Sequence, residues 1–251
     1  MTKNSTRQSF DVTARIKTFR FDDRVLFENL ELIIRRNTWT CLLGVSGVGK
    51  STMLKLVAGL TAGNASTEFE CSDGAALAGR VAYMGQQDLL LPWLSVIDNV
   101  LLGDRLRNSP DAIRLGNAYE LLDRVGLRAY AAELPAKLSG GMRQRAALVR
   151  TLMEDKPVVV MDEPFSALDA ITRLKLQDMA ADLLTGRCVF LVTHDPLEAL
   201  RLGGHVLLMS GRPARLEQIA ELSGATPRDA TEQLVLDQQA RILNLMRAEV
   251  T

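Results

Sequence analysis

Short apolar runs recur along the chain, each followed by a loop and then by apolar positions at helical spacing. Five runs read as strands, at residues 39–43, 80–84, 158–161, 188–193 and 206–209. Strands that alternate with helices build a mostly parallel sheet covered on both faces, and such a sheet binds ligands outside the carboxyl ends of its strands. Three runs end in residues with chemistry to offer: Leu43 leads into Gly44, Met161 into Asp162 and Glu163, and Val192 into Thr193 and His194. A parallel sheet would bring all three groups to one edge.

Between residues 98 and 155 the strand signal stops, and Leu121, Leu122 and Val125 fall at helical spacing. This segment reads as an inserted helical lobe. The tail carries a helix start at Thr226-Pro227-Arg228-Asp229: a capping hydroxyl, proline at the first helical position and an acid in the first turn. Leu234, Gln238, Ile242 and Leu245 then follow on roughly one face.

The composition is that of an ordinary globular protein, with 47% hydrophobic and 24% charged residues over 251 positions. The 30 basic and 30 acidic residues cancel, which argues against a dedicated nucleic-acid binder, since such proteins neutralise phosphates with a basic face. No stretch approaches the roughly 18 consecutive apolar residues of a membrane helix, so membrane association is expected to run through a partner. Residues 1–10 are polar and lack the apolar centre of a signal peptide, which points to the cytoplasm. Cys41, Cys71 and Cys188 are odd in number and not spaced for a metal; they read as reduced packing residues.

The strand at 39–43 runs into Gly44-Val45-Ser46-Gly47-Val48-Gly49-Lys50-Ser51-Thr52, which fits G-x-x-x-x-G-K-[ST] with a strand before it and a helical segment after it. Glycines let the backbone curl so that successive N–H groups point inward, and the following helix adds the positive end of its dipole. Lys50 would reach the β- and γ-phosphates, and the Ser51 hydroxyl would coordinate Mg²⁺. The run Val158-Val159-Val160-Met161-Asp162-Glu163 delivers two adjacent carboxylates that must point differently, because strand side chains alternate. Asp162 can hold the Mg²⁺ shell, and Glu163 can polarise an attacking water. Leu138-Ser139-Gly140-Gly141-Met142-Arg143-Gln144-Arg145 opens a helical stretch and offers a second anion-binding helix end. Spacing alone leaves open whether the two phosphate-binding ends serve one nucleotide.

With these motifs in this order, the sequence resembles the ATP-binding cassette (ABC) transporter ATPases over nearly its whole length. The residues that carry the resemblance are the phosphate loop from Gly44 to Thr52, Gln86, the signature Leu138-Ser139-Gly140-Gly141-Met142-Arg143-Gln144, Asp162-Glu163, Ser166-Ala167-Leu168-Asp169 and His194. The resemblance implies an α/β fold: a P-loop NTPase core with a mostly parallel sheet, an antiparallel β subdomain and an inserted helical lobe. It implies one ABC ATPase domain over 1–251, with a nucleotide-binding core lobe at 1–86 and 157–225, a helical signature lobe at 87–156 and a C-terminal helix at 226–251. It further implies ATP and Mg²⁺ as cofactors and a head-to-tail dimer. Ser139, Gly140 and Gly141 of one chain would close on the γ-phosphate held by Lys50 of the other. Gln86 would touch Mg²⁺ and the attacking water and relay nucleotide state to a membrane subunit. Asp169 would sit at the dimer seam and His194 at the γ-phosphate. The adenine-stacking aromatic is expected at Phe21, with Phe19 as the alternative. His205 has no motif around it and reads as structural.

Leu89-Leu90-Leu91-Pro92-Trp93-Leu94-Ser95-Val96-Ile97-Asp98-Asn99-Val100, together with Met161-Asp162-Glu163-Pro164-Phe165-Ser166-Ala167-Leu168-Asp169, looks like the bacterial importers of nitrate, alkanesulfonates, taurine and thiamine-pyrimidine precursors. That branch implies a peripheral subunit on the cytoplasmic face of the inner membrane, bound to two permease subunits or their equivalents and fed indirectly by a solute-binding protein. Trp93 would lie against the permease or else pack the base of the helical lobe. An exporter ATPase or a non-transport ABC protein is the alternative. Residues 64–79 are polar and rich in small residues and carry no expected site. The cancelling charge also has local structure: residues 32–67 and 134–153 contain bases and no acid, whereas 157–172 contains Asp162, Glu163 and Asp169 and no base.

Overall fold

The computed structural model describes residues 9–21, 24–61, 66–108 and 111–248. By contacts the chain divides into two units, one comprising Met1–Val81, Pro157–Asp162 and Thr185–Thr251, the other Ala82–Lys156 and Glu163–Leu184.

In the first unit, β3 (Trp39–Gly44), β6 (Val158–Asp162) and β7 (Cys188–Val192) are buried along their whole lengths. Continuous β-branched and aliphatic runs suit strands covered on both faces. The sheet order runs β6-β7-β3-β8-β9, with β8 (His205–Ser210) parallel to β3 and β9 (Arg215–Glu221) returning antiparallel. β5 (Val81–Met84) starts beside β6, where the Val158 N–H donates to the Arg80 carbonyl at 3.2 Å. The five strands expected from the sequence correspond to β3, β5, β6, β7 and β8. The register aligns their ends: Asp162 lies opposite Val192, and Val192 opposite Leu42.

An antiparallel sheet of order β2-β1-β4 accompanies it, from β1 (Val12–Phe21), β2 (Arg24–Ile34) and β4 (Ser66–Cys71). Val12, Ala14 and Ile16 are buried on one face. On the other face Arg15 pairs with Glu31 at 2.9 Å and Glu70 at 2.7 Å, and Lys17 with Glu68 at 2.8 Å. These pairs hold registration on a wet surface and contribute little stability each. The polar stretch at 64–79 therefore supplies an edge strand. Cys41, Cys71 and Cys188 are buried and free, as expected for packing residues.

Among the described residues three helices complete this unit: α1 (Lys50–Val57), α7 (Pro196–Leu202) and α8 (Gln233–Ala248). The C-terminal helix begins later than the Thr226-Pro227 signal suggests. Arg228 is drawn inward to 6% exposure instead of entering a first turn. Its guanidinium donates to the carbonyls of Leu200 (2.9 Å), Gly203 (2.8 Å), Leu222 (3.0 Å) and Ser223 (3.3 Å), and its own N–H donates to the Arg201 carbonyl at 2.9 Å. These bonds fasten the backbone there to the end of α7, and Asp229 closes a turn by accepting from the Thr231 N–H at 2.8 Å. On α8 the buried positions are Val235 and Ile242, while Leu234 is exposed, so the inward stripe is rotated by one residue at its start.

The second unit contains α2 (Val96–Val100), α3 (Leu102–Leu106), α4 (Ala112–Arg124), α5 (Gly140–Met153) and α6 (Ala170–Leu183). Val96, Val100, Ala118, Leu122, Val125, Ala146 and Val149 form its buried apolar centre. Asp104, 4% exposed, accepts from the Arg114 Nε with both carboxylate oxygens at 3.0 Å. The sequence boundaries put 163–184 in the core lobe; by contacts this stretch, α6 included, groups with the helical segment. Arg124 on α4 reaches Asp182 on α6 at 3.0 Å.

Arg228→Met would leave four carbonyls without their donor, and an unsatisfied buried polar group costs about 1–3 kcal/mol. A drop of about 2–4 kcal/mol in unfolding free energy by urea titration is expected; an unchanged midpoint would contradict the role given to Arg228.

Candidate functional site

The end of β3 passes into a loop whose geometry is imposed by its glycines. Gly49 is the N-cap of α1 at φ 114°, and a Cβ there would come within 3.0 Å of the Phe27 ring. Only glycine fits that combination. No side chain caps α1 and its first turn contains no acid, so this helix end is suited to an anion. Lys50, 7% exposed, donates its ammonium to the carbonyls of Gly44 at 2.7 Å and Val45 at 3.0 Å. Val48 is buried as the loop's anchor, Ser46 and Gly47 are exposed, and Ser51 and Thr52 are half-buried.

In the same unit Asp162, 3% exposed, ends β6 in the row formed with Val192 and Leu42. The turn after β7 is tightly specified. The Thr193 N–H donates to the Leu42 carbonyl at 3.1 Å, and its hydroxyl donates to Glu198 Oε2 at 2.8 Å. The Asp195 N–H donates to the Thr193 Oγ1 at 3.0 Å, and Asp195 caps α7 through the Leu197 N–H at 2.9 Å. His194, between these fixed neighbours, is exposed. The register thus brings Gly44, Asp162 and His194 to one sheet edge.

The second unit holds Gln86, Glu163, the signature residues and Asp169. Gln86 Nε2 stands 3.5 Å from Glu163 Oε2, a long contact. Glu163 has φ 49°, a left-handed conformation unusual for a side-chain-bearing residue. Ser139 caps α5 by accepting from the Met142 N–H at 3.3 Å, and the first turn of α5 lacks any acid. Ser139 and Gly140 are exposed. A Cβ on Gly141 would approach the Ala167 carbonyl to 3.3 Å, so glycine allows close contact with the Ser166-Ala167-Leu168-Asp169 turn. Asp169 caps α6, and its bonds from Thr172 hold its carboxyl below the usual range. A cavity of about 420 Å³ is lined by Gln86, Asp88, Gly140, Arg143, Gln144 and Ser166 among others.

The side chains that fix the loop after Gln86 have no role assigned by any motif. Asn99, fully buried, donates to the carbonyls of Leu91 (3.1 Å), Leu94 (3.0 Å) and Ser95 (3.0 Å) and accepts from the Leu91 N–H at 2.7 Å. Arg143 on α5 bonds Asp88 at 3.0 Å, and Arg150 donates to the Asp88 and Leu89 carbonyls at 2.7 Å each. The held loop leaves Leu89 53% and Trp93 70% exposed, which removes the packing alternative for Trp93. Phe21, the expected adenine partner, has a side chain outside the described residues. Phe19 is 3% exposed with its ring 5.6 Å from that of Phe27, which commits it to the core.

A Gly-rich loop closing on a buried lysine, between a central parallel strand and a helix, defines a P-loop NTPase. The sequence pattern of the ABC transporter family matches residues 27–166, more than half of the chain. The chain is 40% identical over 238 residues to an aliphatic sulfonates import ATP-binding protein of Burkholderia cenocepacia (strain HI2424), covering 92% of this chain and 85% of that one. It is 41% identical over 199 residues to a taurine import ATP-binding protein of Pseudomonas aeruginosa (strain UCBPP-PA14), covering 77% and 74%. Among solved structures it superposes on a dimeric ATP-binding cassette in a post-hydrolysis state bound to ADP and Pi, with a TM-score of 0.72, 26% identity, and coverage of 85% of this chain and 100% of that chain. The chain belongs to the ABC transporter family, as an ATP-binding subunit that hydrolyses ATP coupled to transport.

Asn99→Leu removes the acceptor of the Leu91 N–H and the donor to three carbonyls. Amide exchange at Leu91 should accelerate about tenfold or more, the factor for 1.4 kcal/mol of lost local protection. Unchanged exchange would contradict the role of Asn99 as the staple of this loop.

Proposed function

We propose that this chain powers a bacterial importer of small organic anions of the sulfonate or taurine class, pairing head to tail with a second copy of itself. The observation that carries the reading is the presence of two helix N-termini with glycine at their start and no acid in their first turn, α1 and α5, of which α1 begins with the buried Lys50 and α5 contains no lysine. The α5 end can bind phosphate but lacks the means to hold a nucleotide alone. In the head-to-tail pair, Ser139, Gly140 and Gly141 of one chain meet the γ-phosphate of the ATP held by the other chain's Gly44 to Thr52 loop.

Lys50 and the loop N–H groups bind the β- and γ-phosphates. Phe21 is proposed to stack on the adenine, and Asp169 to lie at the seam between the chains. Ser51, Asp162 and the Gln86 amide oxygen are hard oxygen donors suited to Mg²⁺. So small a donor set suits an ion that keeps waters and phosphate oxygens in most of its shell. When bound, Mg²⁺ neutralises charge developing on the phosphate oxygens. Glu163 takes a proton from water as its oxygen attacks the γ-phosphorus; the bond to the β-phosphate oxygen breaks, giving ADP and phosphate. Gln86 orients the water, and His194 donates to the γ-phosphate.

Exposed Leu89 and Trp93, on a loop fixed by Asn99 and Arg150, offer a firm apolar surface to a permease helix. Among the described residues no helix is long and apolar enough to cross a membrane. The proposed location is peripheral, on the cytoplasmic face of the inner membrane, with the solute delivered by a separate binding protein. The names of the relatives, aliphatic sulfonate and taurine import ATP-binding proteins, support this substrate class.

Glu163→Gln should still bind ATP with Mg²⁺ while turnover falls by about 10²- to 10⁴-fold, the contribution of a general base. Steady-state hydrolysis near the unaltered rate would remove Glu163 from that role. Lys50→Ala should lose nucleotide affinity in equilibrium binding, and unaltered affinity would sink the phosphate-loop assignment.

A further inference from the structure

Gln144, on α5 and 6% exposed, uses both ends of its amide on the turn that follows β6. Its Nε2 donates to the Glu163 carbonyl at 3.0 Å, and its Oε1 accepts from the Ala167 N–H at 2.9 Å. That orientation of the amide satisfies both partners, and the flipped one satisfies neither. The same Glu163 carbonyl accepts from the Ser166 hydroxyl at 3.0 Å and the Ser166 N–H at 3.3 Å. Three donors therefore converge on the carbonyl of a residue held at φ 49°. A non-glycine residue in the left-handed region persists only where its surroundings over-determine it, and rotation of that peptide would swing the carboxylate away from its present direction.

Two of the donors come from the turn itself. Gln144 alone of the three belongs to another element, the helix whose first turn carries Gly140 and Gly141 and whose cap is Ser139. We propose that Gln144 is a positioning residue that ties the signature end of α5 to the backbone of Glu163, so that the base is aligned only when α5 is in place. The proposal rests on the reading of Glu163 as the general base. In the head-to-tail pair the signature serves the other chain's nucleotide, so Gln144 links closure over one ATP to alignment of the base at the second.

The test compares Gln144→Leu, which loses both bonds, and Gln144→Glu, which keeps the acceptor for Ala167 but loses the donor to Glu163, each in the unaltered and the Glu163→Gln chain. With melting temperature as a check on folding, Gln144→Leu should lower kcat about tenfold or more, equivalent to 1.4 kcal/mol, with KM for ATP within about twofold. Gln144→Glu should show the same split. In the Glu163→Gln background neither change should slow residual turnover further, because the group they position is gone. Normal kcat in both Gln144 variants overturns the proposal, as does an equal further loss in the Glu163→Gln background. If Glu163→Gln by itself turns over normally, the base assignment falls and this proposal with it; a slow Glu163→Gln chain beside a normal Gln144→Leu chain overturns this proposal alone.

Discussion

The parallel register of β6, β7 and β3 is the constraint on which the site depends. It sets Asp162, Val192 and Leu42 in one row, and the residues following those strands inherit that level. Gly44 then turns the chain into the phosphate loop, Asp162 ends its strand with a buried carboxylate, and His194 follows at an exposed position. A shift of pairing by one residue would move every side chain of the slipped strand to the opposite face of the sheet and carry Asp162 out of that row. Each of the three strands is buried on both faces, so the side chains on either face are committed to packing partners.

In the helical unit the organising force is polar. Asn99, Arg143, Arg150 and Gln144 each join a loop to a helix through backbone carbonyls or carboxylates. Carbonyls left without donors in a half-buried setting are costly, so these side chains determine where the loops rest. The consequence is a fixed path from the exposed Leu89 and Trp93 through Asp88 and Arg143 to the first turns of α5 and, through Gln144, to the Glu163 turn. Under the proposed function, a membrane subunit pressing on the loop and a nucleotide pressing on the signature would act on one hydrogen-bonded body.

The central strands and the phosphate loop were legible in the sequence because their signals are local: continuous apolar runs, and glycines at positions that need positive φ. The antiparallel strands were harder. Val12, Ala14 and Ile16 alternate with Arg15 and Lys17, a period-two pattern that carries the signal, but β4 is an edge strand of Ser, Thr and Glu whose place is set by pairing with β1. The start of α8 lies later than the cap pattern suggests because Arg228 is pulled onto the carbonyls of Leu200 and Gly203, distant in sequence, which no cap pattern reports. The same holds at the site. Lys50, Asp162 and Glu163 stand in recognisable spacings, whereas Asn99 acts on backbone groups of the loop just before it in a pattern no motif marks, and Gln144 acts on a turn about twenty residues further on.

Sharing of the nucleotide between two chains is tested most directly by an equimolar mixture of a Lys50→Ala chain with a Ser139→Arg chain. A head-to-tail pair of the two contains one site with both lesions and one intact site. The expected result is recovery of ATP hydrolysis in the mixture, when each altered chain alone is inactive. A mixture as inactive as its components, with heterodimers formed and both chains folded, would contradict the shared site.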